Sequence, residues 1–162
     1  MAYAKKLSGT IAIVTGGAGI LGTEFCKVLA LNGASVAVLD VNKESATQLS
    51  KELQSQYPDG NFLGICCDLK SEVEIEKAVK RVTDEMGRVD ILVNNAATKT
   101  AELKNFFEPF EDYSLDTWKD VMSVNVDAMF LTAKAVGRRM IADGKGGKIV
   151  QIASIYGCVG PD

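Results

Sequence analysis

Thr15-Gly16-Gly17-Ala18-Gly19-Ile20-Leu21-Gly22 decides how the rest of this chain is read. It follows residues 10–15 (TIAIVT), a β-branched, apolar run that reads as a buried strand. After it, Leu21, Phe25, Val28 and Leu29 recur at helical spacing, and Gly33 offers a stop. Glycines between a strand and a helix permit a tight turn and let backbone approach a pyrophosphate closely. The helix N-terminus adds N–H groups and the positive end of its dipole. Gly17, Gly19 and Gly22 satisfy G-x-G-x-x-G, a weak signal alone that its strand–turn–helix setting strengthens. A Walker-type phosphate loop does not fit, because Thr23 stands where that motif needs lysine.

Outward from this turn the pattern alternates. Strands are expected at residues 35–39, 62–67, 89–93 and 148–152, and a polar helix at 43–56. Pro58-Asp59-Gly60 is a turn. Ser71 and Glu74 form a capping box opening a helix whose apolar face is Ile75, Ala78, Val79, Val82 and Met86, ended by Gly87. A long helix is expected over residues 114–142. Strands separated by helices predict an α/β fold with a doubly wound parallel sheet. Residues 98–113 (TKTAELKNFFEPFEDY) are long for a connection. Their aromatics either plug the following helix or stack on a ring or sugar face.

Asp40 closes the second strand, roughly 20 residues beyond the glycine turn, where a carboxylate can accept hydrogen bonds from the adenosine ribose. It would repel a 2′-phosphate, so NAD is favoured over NADP, with Lys43 close enough to soften the preference.

The composition is that of an ordinary globular domain: 162 residues, 47% hydrophobic and 24% charged, with a net charge of -3. The weak acidic balance gives no footprint for nucleic acid or an anionic membrane. No leader or membrane span is read, so a cytoplasmic protein is expected. With no histidine, a Ser-His-Asp hydrolase within these residues is excluded. Cys26, Cys66, Cys67 and Cys158 lack zinc-ligand spacing, so no metal is expected. Cys66 and Cys67, inside an apolar run, are expected to be buried thiols.

Read with these features, the chain resembles the short-chain dehydrogenase/reductase family over nearly its whole length. Residues 7–17 look like that family's opening strand, and Cys67-Asp68-Leu69 like its acidic position after the third strand. Asn94-Asn95-Ala96-Ala97 resembles its N-N-A-G signature, with Ala97 for the last glycine. Val124-Asn125-Val126 resembles its mid-helix asparagine, and residues 149–154 the strand ending in its catalytic serine. The resemblance implies cofactor contacts from Gly16, Gly19, Ile20, Leu21, Gly22, Asp40, Asp68 (adenine), Leu69, Asn95, Ala96 and Ala97. It implies Ser154 and Asn125 as catalytic residues, Ser154 bonding the substrate oxygen and Asn125 holding a relay water. The reaction implied is hydride transfer between NAD and a small alcohol or carbonyl compound, by a homo-oligomer when full length.

Two features depart from the family. Glycine stands at Gly19 rather than at Ile20, a spacing shared with nucleotide-sugar epimerases and dehydratases. The family's tyrosine with a lysine four residues on is absent: Tyr3, Tyr57, Tyr113 and Tyr156 are followed there by Leu7, Asn61, Thr117 and Gly160. The expectation is one NAD-binding domain over residues 1–162, incomplete at its C-terminus and inactive alone. It would expose an unpaired strand edge and an apolar patch, and be prone to associate. The alternatives are a non-catalytic NAD-binding fragment and, from the glycine spacing, a nucleotide-sugar epimerase or dehydratase, with a methyltransferase a distant third.

Overall fold

The computed structural model describes residues 5–99 and 102–159. Its strands are β1 (Ile11–Thr15), β2 (Ser35–Asp40), β3 (Phe62–Cys66), β4 (Ile91–Asn94) and β5 (Lys148–Gln151). Its helices are α1 (Ile20–Leu31), α2 (Lys43–Gln56), α3 (Glu72–Met86), the single turn α4 (Leu103–Phe106), α5 (Leu115–Met122) and α6 (Ala128–Ala142). All strands are parallel, in the order β3-β2-β1-β4-β5. The expected doubly wound α/β sheet is present.

Alternation along the strands sorts the core onto two faces. Ile13, Leu39, Ile65 and Leu92 pack with Ile75, Val79 and Val82 of α3 and Val136 and Met140 of α6. Val14, Val36, Val38 and Val93 pack with Cys26 and Ala30 of α1 and Leu49 and Leu53 of α2. β5 lies at the edge of the sheet, with Ile149 and Val150 both exposed.

Local chemistry explains most boundaries. Asn42 caps α2 by accepting from Ser45 N–H at 3.0 Å. Ser71 Oγ caps α3, accepting from Glu74 N–H at 3.3 Å. The reciprocal half of the expected capping box is replaced: the Glu74 carboxylate accepts instead from Asp68 N–H at 2.8 Å. The cap therefore also holds the chain leaving β3.

Three expectations are corrected. Leu21 and Val28 are 59% and 56% exposed, and the buried face of α1 is Gly22, Cys26 and Ala30. The helix starts hard against the glycine turn, and only small side chains fit where backbone meets backbone. Cys66 is exposed while Cys67 is buried, because successive residues leaving edge strand β3 point to opposite sides. The expected long helix over 114–142 is not uniform: a π-helical segment, Ser123–Asp127, separates α5 from α6.

Candidate functional site

The winding places the site. From β1 the chain moves outward through β2 to β3, and α3 then carries it back to β4 on the other side of β1. This reversal leaves a crevice outside the carboxyl ends of β1 and β4, where open α/β sheets take their ligands. A cleft of about 540 Å³ lies there. Gly16, Gly19, Ile20, Leu21, Asp40, Asp68, Leu69, Asn95, Ala96 and Ala97 all line it. Ten of the eleven positions singled out for cofactor contact are thus brought together.

Gly22, the eleventh, is buried beneath the turn, where a Cβ would lie 2.1 Å from Gly16 O. Its role is to let α1 approach the turn. Gly16 has φ of +57°, and a Cβ there would sit 2.9 Å from Ala96 Cα. Only glycine combines that conformation with that approach.

The turn's amides are partly committed. Gly17 N–H donates to Leu39 O (3.0 Å), Ala18 N–H to Asp40 Oδ2 (3.0 Å) and Gly19 N–H to Gly16 O (3.1 Å). Thr23 N–H makes the first intrahelical bond of α1, to Gly19 O (2.9 Å). Helix geometry leaves the N–H groups of Ile20, Leu21 and Gly22 without intrahelical partners. An anion at the helix N-terminus would meet these donors and the dipole.

At one end of the cleft stand Asp40, Val41, Asp68, Leu69 and Lys70. Asp68 Oδ1 accepts from Lys70 N–H (3.0 Å), and Lys70 Nζ reaches Asp120 of α5, tying this wall to the next layer. At the other end are Asn95 to Thr98 and Val124. Thr15 fixes this end: its Oγ1 accepts from Asn95 N–H (3.0 Å) and Ala96 N–H (3.1 Å). Asn95 Nδ2 donates back to Thr15 O and Gly16 O, both at 3.1 Å. Asn94 clamps β4 to α6, donating to Met129 O and accepting from Thr132 Oγ1 (2.7 Å).

Asn125 and Ser154 are not among the residues lining the cleft. Asn125 lies in the π-helical segment, and its amide grips one backbone unit from both sides. Thr98 N–H donates to its Oδ1 (2.7 Å), and its Nδ2 donates to Thr98 O (3.1 Å). Ser154 follows β5 on an exposed stretch. Val41, Cys67, Lys70, Thr98 and Val124 also line the cleft and were not anticipated. All five neighbour anticipated residues in sequence. Thr98 and Val124 come together only through the fold.

Burial pushes the Cys67 thiol up to about 12, reinforced by the charges of Glu74 and Asp68. Burial likewise pushes Cys26 up to about 12. At pH 8 roughly one such thiol in 10⁴ is thiolate, the reactive form. Iodoacetamide is expected to label the exposed Cys66 and Cys158 and to reach Cys26 and Cys67 only after unfolding. Peptide mass mapping reads this directly, and fast labelling of Cys67 in the folded protein would refute its burial.

In the connection after β4, Phe106 and Phe107 meet edge to face at 5.1 Å, with the Lys99 ammonium 5.8 and 5.4 Å from their centroids. Phe106, Phe110 and Tyr113 share a groove with Leu115, Trp118 and Met122 of α5. The segment thus packs in part on the following helix, although Phe110 is itself 94% exposed.

A parallel sheet with an elongated crevice at its switch point, walled by a glycine turn and a strand-end carboxylate, defines a Rossmann-like α/β protein. The chain belongs to the short-chain dehydrogenase family: the family profile described as short chain dehydrogenase matches residues 10–162. D-threitol dehydrogenase of Mycolicibacterium smegmatis is 36% identical over 149 residues, covering 92% of this chain and 54% of that protein. Cyclopentanol dehydrogenase of Comamonas sp. is 35% identical over 155 residues, covering 96% and 58%. The crystal structure of NAD+-bound xylitol dehydrogenase superposes with a TM-score of 0.86 at 33% identity, covering 96% of this chain and 57% of that one. The chain thus spans about half the length of the relatives it matches. Among the described residues, no helix is long and apolar enough to cross a membrane.

Proposed function

We propose that residues 1–162 form the NAD-binding domain of an oxidoreductase that moves hydride between the nicotinamide cofactor and a small alcohol or its carbonyl counterpart. One observation carries the choice of NAD: Asp40 stands at the end of the cleft where the adenosine ribose would lie. A carboxylate there accepts from ribose hydroxyls and repels a 2′-phosphate. The cleft suits an extended dinucleotide. Asp68 and Leu69 would flank the adenine, the N–H groups of Ile20 and Leu21 would take the pyrophosphate, and Asn95 to Ala97 would lie along the nicotinamide half.

The nicotinamide, when bound, supplies the hydride chemistry, and the protein orients it. Ser154 is proposed to hydrogen-bond the substrate oxygen and favour its developing negative charge. Asn125 acts as a positioning residue that holds Thr98 at the cleft rim, and its second lone pair and second N–H remain for a relay water. The family resemblance implies a tyrosine with a lysine four residues on to handle the proton, a spacing that residues 1–162 do not contain, with the nearby cation favouring the phenolate. Dehydrogenases named for D-threitol, sorbitol and cyclopentanol are among the relatives, which supports an alcohol as substrate.

Titration of residues 1–162 with NADH and NADPH, followed by nicotinamide fluorescence, tests the cofactor. NADH is expected to bind at least about tenfold more tightly, the effect of one charge-sensitive contact worth 1.4 kcal/mol. Equal or tighter NADPH binding would overturn the choice. The same protein should oxidise no alcohol, and turnover would show that the acid–base pair lies within it.

A further inference from the structure

The carboxylate of Asp40 accepts two hydrogen bonds from backbone of the protein itself. Its Oδ2 accepts from Ala18 N–H at 3.0 Å, a bond across 22 residues of sequence into the middle of the glycine turn. Its Oδ1 accepts from Asn42 N–H at 3.0 Å, and Asn42 in turn caps α2. The neighbouring amide of the turn, Gly17 N–H, is held by Leu39 O, the residue before Asp40. Two consecutive amides of the turn are therefore pinned to the last two residues of β2. The next amide, Gly19 N–H, folds back on Gly16 O, and α1 begins immediately after with its free donors.

We infer that Asp40 is a positioning residue for the phosphate-binding turn as well as the ribose acceptor. It holds Ala18 so that the donors of Ile20 and Leu21 face the cleft. The inference rests on the reading that the cleft binds NAD. The physical ground is that a carboxylate accepting a backbone N–H forms one of the stronger hydrogen bonds in proteins. Ala18 has no side chain able to hold it otherwise, and the turn from Gly16 to Gly19 is otherwise built from glycine, the residue with most freedom to lose. Each carboxylate oxygen keeps a further lone pair, so ribose hydroxyls can be accepted without releasing the turn. One residue then sets both which ribose is read and whether the pyrophosphate donors are in place.

The test separates the two jobs by removing the ribose contact from the ligand. Affinities of residues 1–162 and of Asp40→Ala are measured for NAD and for an NAD analogue lacking the adenosine 2′ and 3′ hydroxyls. Were Asp40 a ribose acceptor alone, the substitution would leave the analogue's affinity unchanged. The inference expects the analogue to weaken by about tenfold, the scale of one charge-assisted hydrogen bond. Exchange of the Ala18 amide with deuterium, followed by NMR without ligand, should accelerate at least about tenfold in Asp40→Ala, while amides of α3 stay unchanged. Asp40→Asn keeps an acceptor oxygen and should restore much of both readouts. It also serves as the informative variant should Asp40→Ala not fold.

An unchanged analogue affinity, or an unchanged Ala18 exchange rate, would overturn the inference. Failure of the unsubstituted chain to bind NAD, with Ala18 exchange still accelerated by the substitution, would instead overturn the cofactor reading while supporting the tie between Asp40 and the turn.

Discussion

Gly22→Ala is expected to lower unfolding stability by about 3 kcal/mol or more and to abolish measurable nucleotide binding. A methyl group there would lie 2.1 Å from Gly16 O, 2.8 Å from Gly17 Cα and 2.9 Å from Gly16 C. All three are backbone atoms of the turn, so no rotamer change relieves the overlap. Overpacking a core that can shift its side chains costs about 1–3 kcal/mol. Here the remedy is to lift α1 off β1 or to refold the turn, which places the cost at or above that range. Typical domains have only about 5–15 kcal/mol to lose. Binding should suffer more than stability, because either remedy displaces the N–H groups of Ile20 and Leu21. Urea denaturation with NADH fluorescence reads both quantities. A variant within 1 kcal/mol of the unsubstituted protein and still binding NADH would mean that the closeness of α1 to the turn is not required.

The same closeness explains what the sequence could and could not disclose. Helix α2 falls on the predicted residues, 43–56, because its pattern and its Asn42 cap are both local. Helix α3 likewise buries Ile75, Ala78, Val79 and Val82 as its periodicity demands. Periodicity is half right for α1: Phe25 and Leu29 pack against the core, while Leu21 and Val28 face outward. Ile20 and Leu21 sit exposed at the cleft, and the small residues Gly22, Cys26 and Ala30 go inward. Hydrophobicity scales pass over the small residues that a helix needs where its partner is a backbone turn rather than a layer of side chains. The grip of Asn125 on Thr98, and the π-helical segment that accompanies it, were equally hidden, since the partners lie 27 residues apart. The cleft was legible for a different reason. The glycine turn and Asp40 carry local signatures at the ends of β1 and β2, and the family resemblance implied the positions at Asp68, Leu69 and Asn95 to Ala97.

Thr15 shows how a residue that reads as the last of a strand can govern the site. It is 1% exposed, and its hydroxyl accepts from the N–H groups of both Asn95 and Ala96. Thr15→Val preserves shape and volume closely, so its effect isolates those two bonds. Each backbone donor left unsatisfied costs about 1–3 kcal/mol, toward the lower end where water can reach it. Asn95 and Ala96 are half-buried, so a combined loss of about 2–4 kcal/mol is expected. Thr15→Ser keeps the acceptor and forfeits one methyl group, which should cost about 1 kcal/mol. The ordering of the two variants carries the argument: were burial of the methyl what matters, Thr15→Ser would be the worse. Nucleotide affinity should follow the hydroxyl too, because Ala96 packs directly against Gly16 and the two walls of the cleft meet there. Denaturation curves and NADH titrations of the two variants decide the matter, and a Thr15→Val protein as stable as Thr15→Ser would remove the hydroxyl from any account of how the cleft is held.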